Sequence, residues 1–568
     1  MTTRQTASGI SPEHPHTEAD RLADEHFAQE LAMSPLTMTA LGIDDRQDEL
    51  DDFSPAGLDA HDALVRRTLE ALEATTAVDE VDRVTLAALR ERLSLQLEQH
   101  AAGEDKANIN NIASGLHAVR EGFDSMPTGT AAQWRTIALR LGAVPQALDG
   151  WLASQYAGVD QGLKPAGRQV AELASQVERW IAPGGYFDGL LAGARLADGT
   201  TLPRDAAEQL ETGVATARDA YATIAAALRG ELTRLSTAQD GVGTERYRLA
   251  SREFLGSSID LEATYRWGLE QVAEITAREQ RIAQRIVPGA GIFDALAALD
   301  ADERYRLHGV DAFQQWMQHT ADGAIAALDQ VHFDIAEPIR TIGCCIAPTS
   351  DGGIYYTPPS DDFARPGRMF WSVPAGTEDF STWRELTTVH HEGVPGHHLQ
   401  CSQAIYRKDL LNNWRRNGCW VSGHGEGWAL YAEQLMAELG YLDDPGDMLG
   451  MLDSQALRSV RVVLDIGLHC GMAAPQDAGG GEWTFEKAWR YFNAHVSMDE
   501  GFARFEVNRY FGWPGQAPSY KLGQKAWLEL REQARQQAGD DFDLKAFHSR
   551  VLDLGSLPLD VLKQAVLA

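Results

Sequence analysis

Leu86, Leu89, Leu93 and Leu97 recur at steps of three, four and four, which lays one apolar stripe along a helix. Similar patterning runs from about residue 20 to 240, where Ala, Leu, Glu, Gln and Arg dominate; all are good helix formers. Breaks such as Pro183-Gly184-Gly185 and Ala197-Asp198-Gly199 separate one helix from the next. No fixed-period repeat runs through this stretch, so a solenoid is not expected. The texture changes between about 331 and 375. There Pro338, Gly343, Pro348, Gly352, Gly353, Pro358, Pro359, Pro366 and Gly367 interrupt short runs such as Ile354-Tyr355-Tyr356 and Met369-Phe370-Trp371-Ser372-Val373, which read as strands.

The pattern predicts a mainly α protein, large and bilobed, with a cleft between helical halves and a small β-sheet at its rim. Residues 1–20, polar and holding Pro12 and Pro15, read as a flexible tail, with His14 and His16 as tail residues rather than ligands. Residues 21–244 form a helical scaffold or lid half. Residues 245–568 form a second half carrying the sheet (331–375), the two halves making one continuous unit. The sheet either offers an edge for an extended peptide or is a structural hairpin packed on the helices.

Composition narrows the partners. The 568 residues are 44% hydrophobic, enough for a large core. Against 82 acidic side chains stand 50 basic ones, a net charge of −32 that repels nucleic acid and anionic membranes. The five cysteines, Cys344, Cys345, Cys401, Cys419 and Cys470, are odd in number and lack zinc-knuckle spacing, which fits a reducing compartment. Met1 to Ala7 lack the apolar stretch of a secretory signal, and no run of about 18 apolar residues predicts a membrane span. A cytoplasmic location is expected. The oligomeric state is not legible.

Candidate chemistry concentrates in His390-His391-Glu392-Gly393-Val394-Pro395-Gly396-His397-His398. Four histidines and a glutamate in nine residues are awkward in a core, where each ring needs its polar atoms satisfied; metal binding accounts for them. Zinc hydrolases use His-Glu-x-x-His on a helix, two histidines one turn apart holding the ion and the glutamate acting as base. Here the second histidine is displaced. From His391 to His397 is about 600° of ideal helix. Pro395 cannot continue the helical bonding, so the helix must bulge or break. With Pro395-Gly396 removed the standard spacing returns. An unbroken helix would instead pair His390 with His397, or His391 with His398, and spacing leaves both possibilities open.

Further on, Gly425-Glu426-Gly427-Trp428-Ala429-Leu430-Tyr431-Ala432-Glu433 opens another helix. In the apolar helix 457–469, the polar residues Arg458, Arg461, Asp465 and His469 form one stripe about 80° wide at ~100° per residue. Such a stripe faces a polar cleft or a salt-bridge network, because buried charge without partners is costly.

These segments, with Ser34-Pro35-Leu36-Thr37, Glu506-Val507-Asn508-Arg509-Tyr510 and Trp513-Pro514-Gly515-Gln516, resemble the signatures of a bacterial family catalogued as domain of unknown function 885. The family is regarded as one of zinc metallopeptidases, similar to helical zincins with a glutamate third ligand. The resemblance covers nearly the whole chain and implies a zincin-like fold holding one zinc ion. It implies His391 and His397 as ligands, Glu392 as base and Glu426 as third ligand, with Glu433 orienting a histidine. Whether Glu433 rather than Glu426 binds the metal stays open. By analogy of role with helical dipeptidases, Tyr520 and His469 are candidates to steady the oxyanion and Lys521 to bind a substrate carboxylate. Arg458, Arg461, Asp465 and Arg509 join them as substrate-side or supporting residues. The implied activity is hydrolysis of short peptides by metal-activated water. Alternatives are a zinc amidase on a non-peptide substrate, an Fe(II) site, and a catalytically silent metal-binding scaffold.

Overall fold

The computed structural model describes residues 14–347, 353–374 and 376–567. The described chain is mainly helical with two small sheets. The leucine stripe lies on the helix Glu80–Ala102, where Leu86, Leu89 and Leu93 are buried and Leu97 packs at the core margin. The Asp79 side chain accepts from the backbone N–H of Asp82 and so satisfies one of the free donors of the first turn. The helix Glu18–Met33 begins inside the segment that reads as a tail, with Thr17 and Asp20 forming a reciprocal capping box. His14 bonds Asp79 at 2.7 Å and Asp20 at 2.9 Å. Residues 14–20 therefore belong to the fold; the rest of the expected tail, residues 1–13, lies outside the described residues.

The described residues build three large cores. One lies within residues 109–232, including the helices Ala131–Asp160 and Arg204–Ala227. A second lies within residues 247–517. The largest joins residues 19–93 to residues 255–566, so the chain does not part into two halves at 244. Across that join, Asn412 donates to Asp20 at 2.9 Å and the buried Arg415 donates to Thr85 at 3.1 Å. Helical periodicity shows which face is buried but not what covers it, so the first helices could not be assigned to the C-terminal body from their own pattern.

The strands β2 (Ile342–Ile346), β3 (Ile354–Thr357) and β4 (Gly367–Trp371) form a sheet in the order β2-β4-β3. β4 runs parallel to β2 and antiparallel to β3. Gly367, Met369 and Trp371 face the core on alternate positions of β4, while Tyr356 of β3 bonds His398 at 2.9 Å. The sheet thus braces the histidine segment from one side. Two shorter strands, β1 (Arg306–His308) and β5 (Asp379–Ser381), pair antiparallel just before it. Among the described residues no helix is long and apolar enough to cross a membrane.

Candidate metal centre

The helix Thr382–Glu392 stops where Pro395 and Gly396 forbid its continuation, and a second helix, His397–Tyr406, starts after the turn. A side chain on Gly396 would overlap the His391 carbonyl, so the chain folds back tightly on itself here. Trp428 donates its indole N–H to the Pro395 carbonyl at 2.8 Å and holds the turn. The His391 and His397 rings come to face each other edge-on at 4.8 Å between centroids. Six residues of chain thus do what four do in a continuous helix.

The helix Ser422–Glu438 supplies the rest. Glu426 Oε2 lies 3.3 Å from His391 Nε2 and 3.5 Å from His397 Nε2, and the three candidate ligand atoms all fall within 4.8 Å of one another. Zinc bonds of 2.0–2.1 Å at tetrahedral angles set ligand atoms about 3.3 Å apart, so the spacing fits such an ion. One helical face further, Glu433 Oε1 accepts from His391 Nδ1 at 2.8 Å, which turns Nε2 towards Glu426. Glu433 Oε2 in turn accepts from Thr387 at 2.7 Å and from Ser454 at 3.4 Å. Glu433 therefore orients the His391 ring, and Glu426 meets both rings.

The Glu426 and Glu433 carboxylates set the electrostatics of the site. Burial opposes charge on His391, but those two carboxylates outweigh it and push the imidazole up to about 10. Burial likewise opposes ionisation of Glu426, and its two histidine partners hold it far below the usual carboxylate range. The contacts of Glu426 Oε2 with the two rings lack hydrogen-bond geometry, and His397 Nδ1 and Glu392 Oε2 are buried without a hydrogen-bond partner. Burial raises Glu392 above its ordinary value.

The neighbouring histidines differ. His398 bonds the Ile339 carbonyl at 2.7 Å and Tyr356 at 2.9 Å. Burial lowers His390 to about 4, and its Nδ1 is buried without a hydrogen-bond partner.

Two further helices close the site. A side chain on Gly427 would overlap the backbone at Gly523, so the helices Ser422–Glu438 and Ser519–Ala538 cross in direct contact. The crossing brings Tyr520 within electrostatic reach of Glu426. The helix Pro445–His469, started by Asp444 and Pro445, presents the polar stripe. Arg461 donates to Glu506 at 2.8 Å and to the Tyr510 hydroxyl at 3.2 Å, and its guanidinium lies 4.8 Å over the Tyr520 ring. Arg509 donates to the same Glu506 at 2.8 Å and to Gln516.

Three candidates do not reach the ligand group. His469 bonds the Tyr510 carbonyl at 2.7 Å, accepts from Val242 N–H at 3.3 Å and stacks on Tyr247. It is eleven residues, some 16 Å of helix, beyond Arg458, so one end of the stripe faces the site and the other a packed loop. Asp465 accepts from Tyr247 at 2.6 Å and from Gly515 N–H at 2.9 Å. Lys521 is buried and donates to the amides of Gln455 at 2.7 Å and Gln524 at 2.8 Å; burial lowers it to about 7.

Thr387, Ser454 and Trp420 were not legible as site residues. Thr387 sits one turn before His391, the only signal it carries. Trp420, 51% exposed, places its ring 6.3 Å from His397 at the mouth of the site, and its type and position gave no sign of this.

The family model of bacterial proteins of unknown function (DUF885) matches residues 35–566. The chain belongs to this family. No curated protein matches it. Two solved structures share the fold of this DUF885 protein over nearly their full lengths. A presumed lipoprotein from Colwellia psychrerythraea superposes with a TM-score of 0.81 at 21% identity, covering 97% of this chain and 98% of its own. A presumed lipoprotein of unknown function from Shewanella oneidensis does so with a TM-score of 0.73 at 17% identity, covering 97% and 100%. A carboxypeptidase from Pyrococcus furiosus reaches only 0.37 at 12% identity, which does not establish a common fold. The description of both full-length neighbours as lipoproteins, a class of exported and anchored proteins, overturns the cytoplasmic location expected from the sequence. A low cysteine count does not mark a compartment when stability comes from a large core rather than from disulfides.

Proposed function

We propose that this DUF885 protein is a zinc-dependent hydrolase that cleaves amide bonds in short peptides. The carrying observation is the approach of Glu426 Oε2 to His391 Nε2 and His397 Nε2 at 3.3 and 3.5 Å, close to the edge lengths of a tetrahedral site, beside a buried Glu392 with a carboxylate oxygen that has no hydrogen-bond partner. Two imidazoles and one carboxylate leave a position open, as catalytic rather than structural sites do. When bound, zinc supplies a Lewis acid that polarises a carbonyl and lowers the pKa of water from 15.7 to about 7.

The protein's own residues do the rest. Glu433 holds His391 in the tautomer that presents Nε2. Glu392 Oε2 accepts the proton of the attacking water and delivers it to the leaving amine nitrogen. The Tyr520 hydroxyl has no protein partner among the described residues and is free to donate to the carbonyl oxygen as charge builds on it. Trp420 offers an apolar face to a substrate side chain beside His397.

The test is digestion of a peptide library by the zinc-loaded protein, with and without chelator, alongside Glu392→Gln. The expected result is cleavage that stops with chelator and in Glu392→Gln, while elemental analysis shows the variant still holding zinc. Full activity in Glu392→Gln would sink the mechanism.

A further inference from the structure

Arg458 differs from every other cation around the centre. Between Leu449 and Gly467 only Ser454 and Arg458 escape full burial, so they mark the least buried side of this part of the helix. Of the Arg458 guanidinium, Nη1 donates to the Ser454 hydroxyl at 2.8 Å and to the Ser454 carbonyl at 3.3 Å. Nε is buried without a partner, and no carboxylate among the described residues pairs with the group. Neither Nε nor Nη2 has a hydrogen-bond partner among the described residues. The Nε–Nη2 edge presents two parallel N–H donors at the spacing of a carboxylate's two oxygens.

Its neighbours are already committed. Arg461 and Arg509 share Glu506, and Arg384 pairs with Asp453 at 3.2 Å. Lys521 is held by two neutral amides. Arg458 also connects back to the centre by hydrogen bonds, through Ser454 and Glu433 to His391. A buried N–H left without a partner is costly, and the cost is removed when an anionic ligand takes the fork.

Resting on the reading of the centre as an amide hydrolase, we infer that Arg458 binds the free C-terminal carboxylate of the peptide substrate. The protein then acts from the C-terminus, with a short leaving segment spanning from the centre to Arg458. The arginine fork replaces Lys521 as the carboxylate anchor, and Arg461 and Arg509 add positive charge behind it.

Two measurements test this. The first compares kcat/KM for peptides identical except for a free C-terminal acid or a C-terminal primary amide. The wild type is expected to favour the acid about 10- to 100-fold, the range of a charge-assisted pair, mostly through KM. Arg458→Gln should bring the ratio near 1, and Arg458→Lys, which keeps the charge without the fork, should fall between. The second measures binding of N-acetylphenylalanine and of its primary amide to the zinc-loaded full chain by calorimetry, in wild type and Arg458→Gln. The expected result is a preference for the acid that falls at least tenfold in the variant. Acids and amides cleaved equally, or an acid preference that survives in Arg458→Gln, overturns the carboxylate site while leaving the hydrolase intact. Acid preference in binding without cleavage of any peptide supports the site and overturns the hydrolase reading.

Discussion

Two groups among the described residues bring a histidine and two further possible ligands within 4.8 Å: His391 with His397 and Glu426, and His14 with Asp20 and Asp82. In the second group the ligand atoms are already used. Asp82 accepts from Thr17 at 2.6 Å and from Val78 N–H at 2.9 Å, and Asp20 accepts from Asn412 at 2.9 Å and from the Thr17 backbone at 3.1 Å. His14 spends both nitrogens on Asp79 and Asp20. This group ties the N-terminal helix to its neighbours. In the first group Glu426 Oε2 meets only the two rings, without hydrogen-bond geometry, and His397 Nδ1 and the adjacent Glu392 Oε2 are buried without a partner. Asp465 shows the converse: its Oδ2 is buried and unpaired, but no ligand stands near it, and burial raises the carboxyl to about 7 so that it keeps a proton. Closeness and open atoms are needed together.

The sharpest way to break that contrast is to remove one ligand from each group. His391→Ala should lose zinc and all turnover, whereas His14→Ala should keep one ion per chain, both read by elemental analysis after dialysis. Within the first group, Glu392→Gln should retain the ion and lose about 10²–10⁴ in kcat.

The next effect is a pH dependence. The Asp465 carboxyl has its folded value raised from 3.8 to about 7, so its contribution to stability is complete below pH 4, declines as pH rises towards 7, and is flat above. Asp465→Asn, which keeps the oxygen that Tyr247 and Gly515 use, should abolish that decline, of order 3 kcal/mol. Denaturant melts of both proteins at pH 4, 5.5 and 7 check it; parallel slopes would show that Asp465 ionises normally.

Glu433→Gln should weaken zinc by about 10- to 100-fold, because a supporting partner of a histidine ligand is lost while the ligands stay. Competition with a chromophoric chelator measures the shift. The smallest effect belongs to the tied group: His14→Ala should lower stability by about 1–3 kcal/mol through unpaired carboxylates, with zinc affinity unchanged.

Much of this was legible in the chain. The helix 80–102, the strands near 354 and 369, and the break at Pro395 follow from local rules: apolar spacing, β-branched and aromatic runs, and a proline that cannot donate. These rules act over a few residues, so a sequence carries them whole. The choice among His390, His391, His397 and His398 did not follow, because it depends on partners 40 to 60 residues away: Glu433 for His391, Ile339 and Tyr356 for His398. The polar stripe on 457–469 was visible, yet its environment changes along it, from the half-buried Arg458 to His469, buried against the Tyr510 carbonyl.

The sequence by itself determined a mainly helical protein with a broken histidine helix and a set of acids able to meet it. Only the tertiary structure decided which atoms remain open. Whether Arg458 lacks a carboxylate partner and Lys521 is taken, or Glu392 Oε2 is without a partner and Asp82 satisfied, depends on hydrogen bonds between segments far apart in the chain, and a residue's type states its bonding capacity but not how much of it the fold has used.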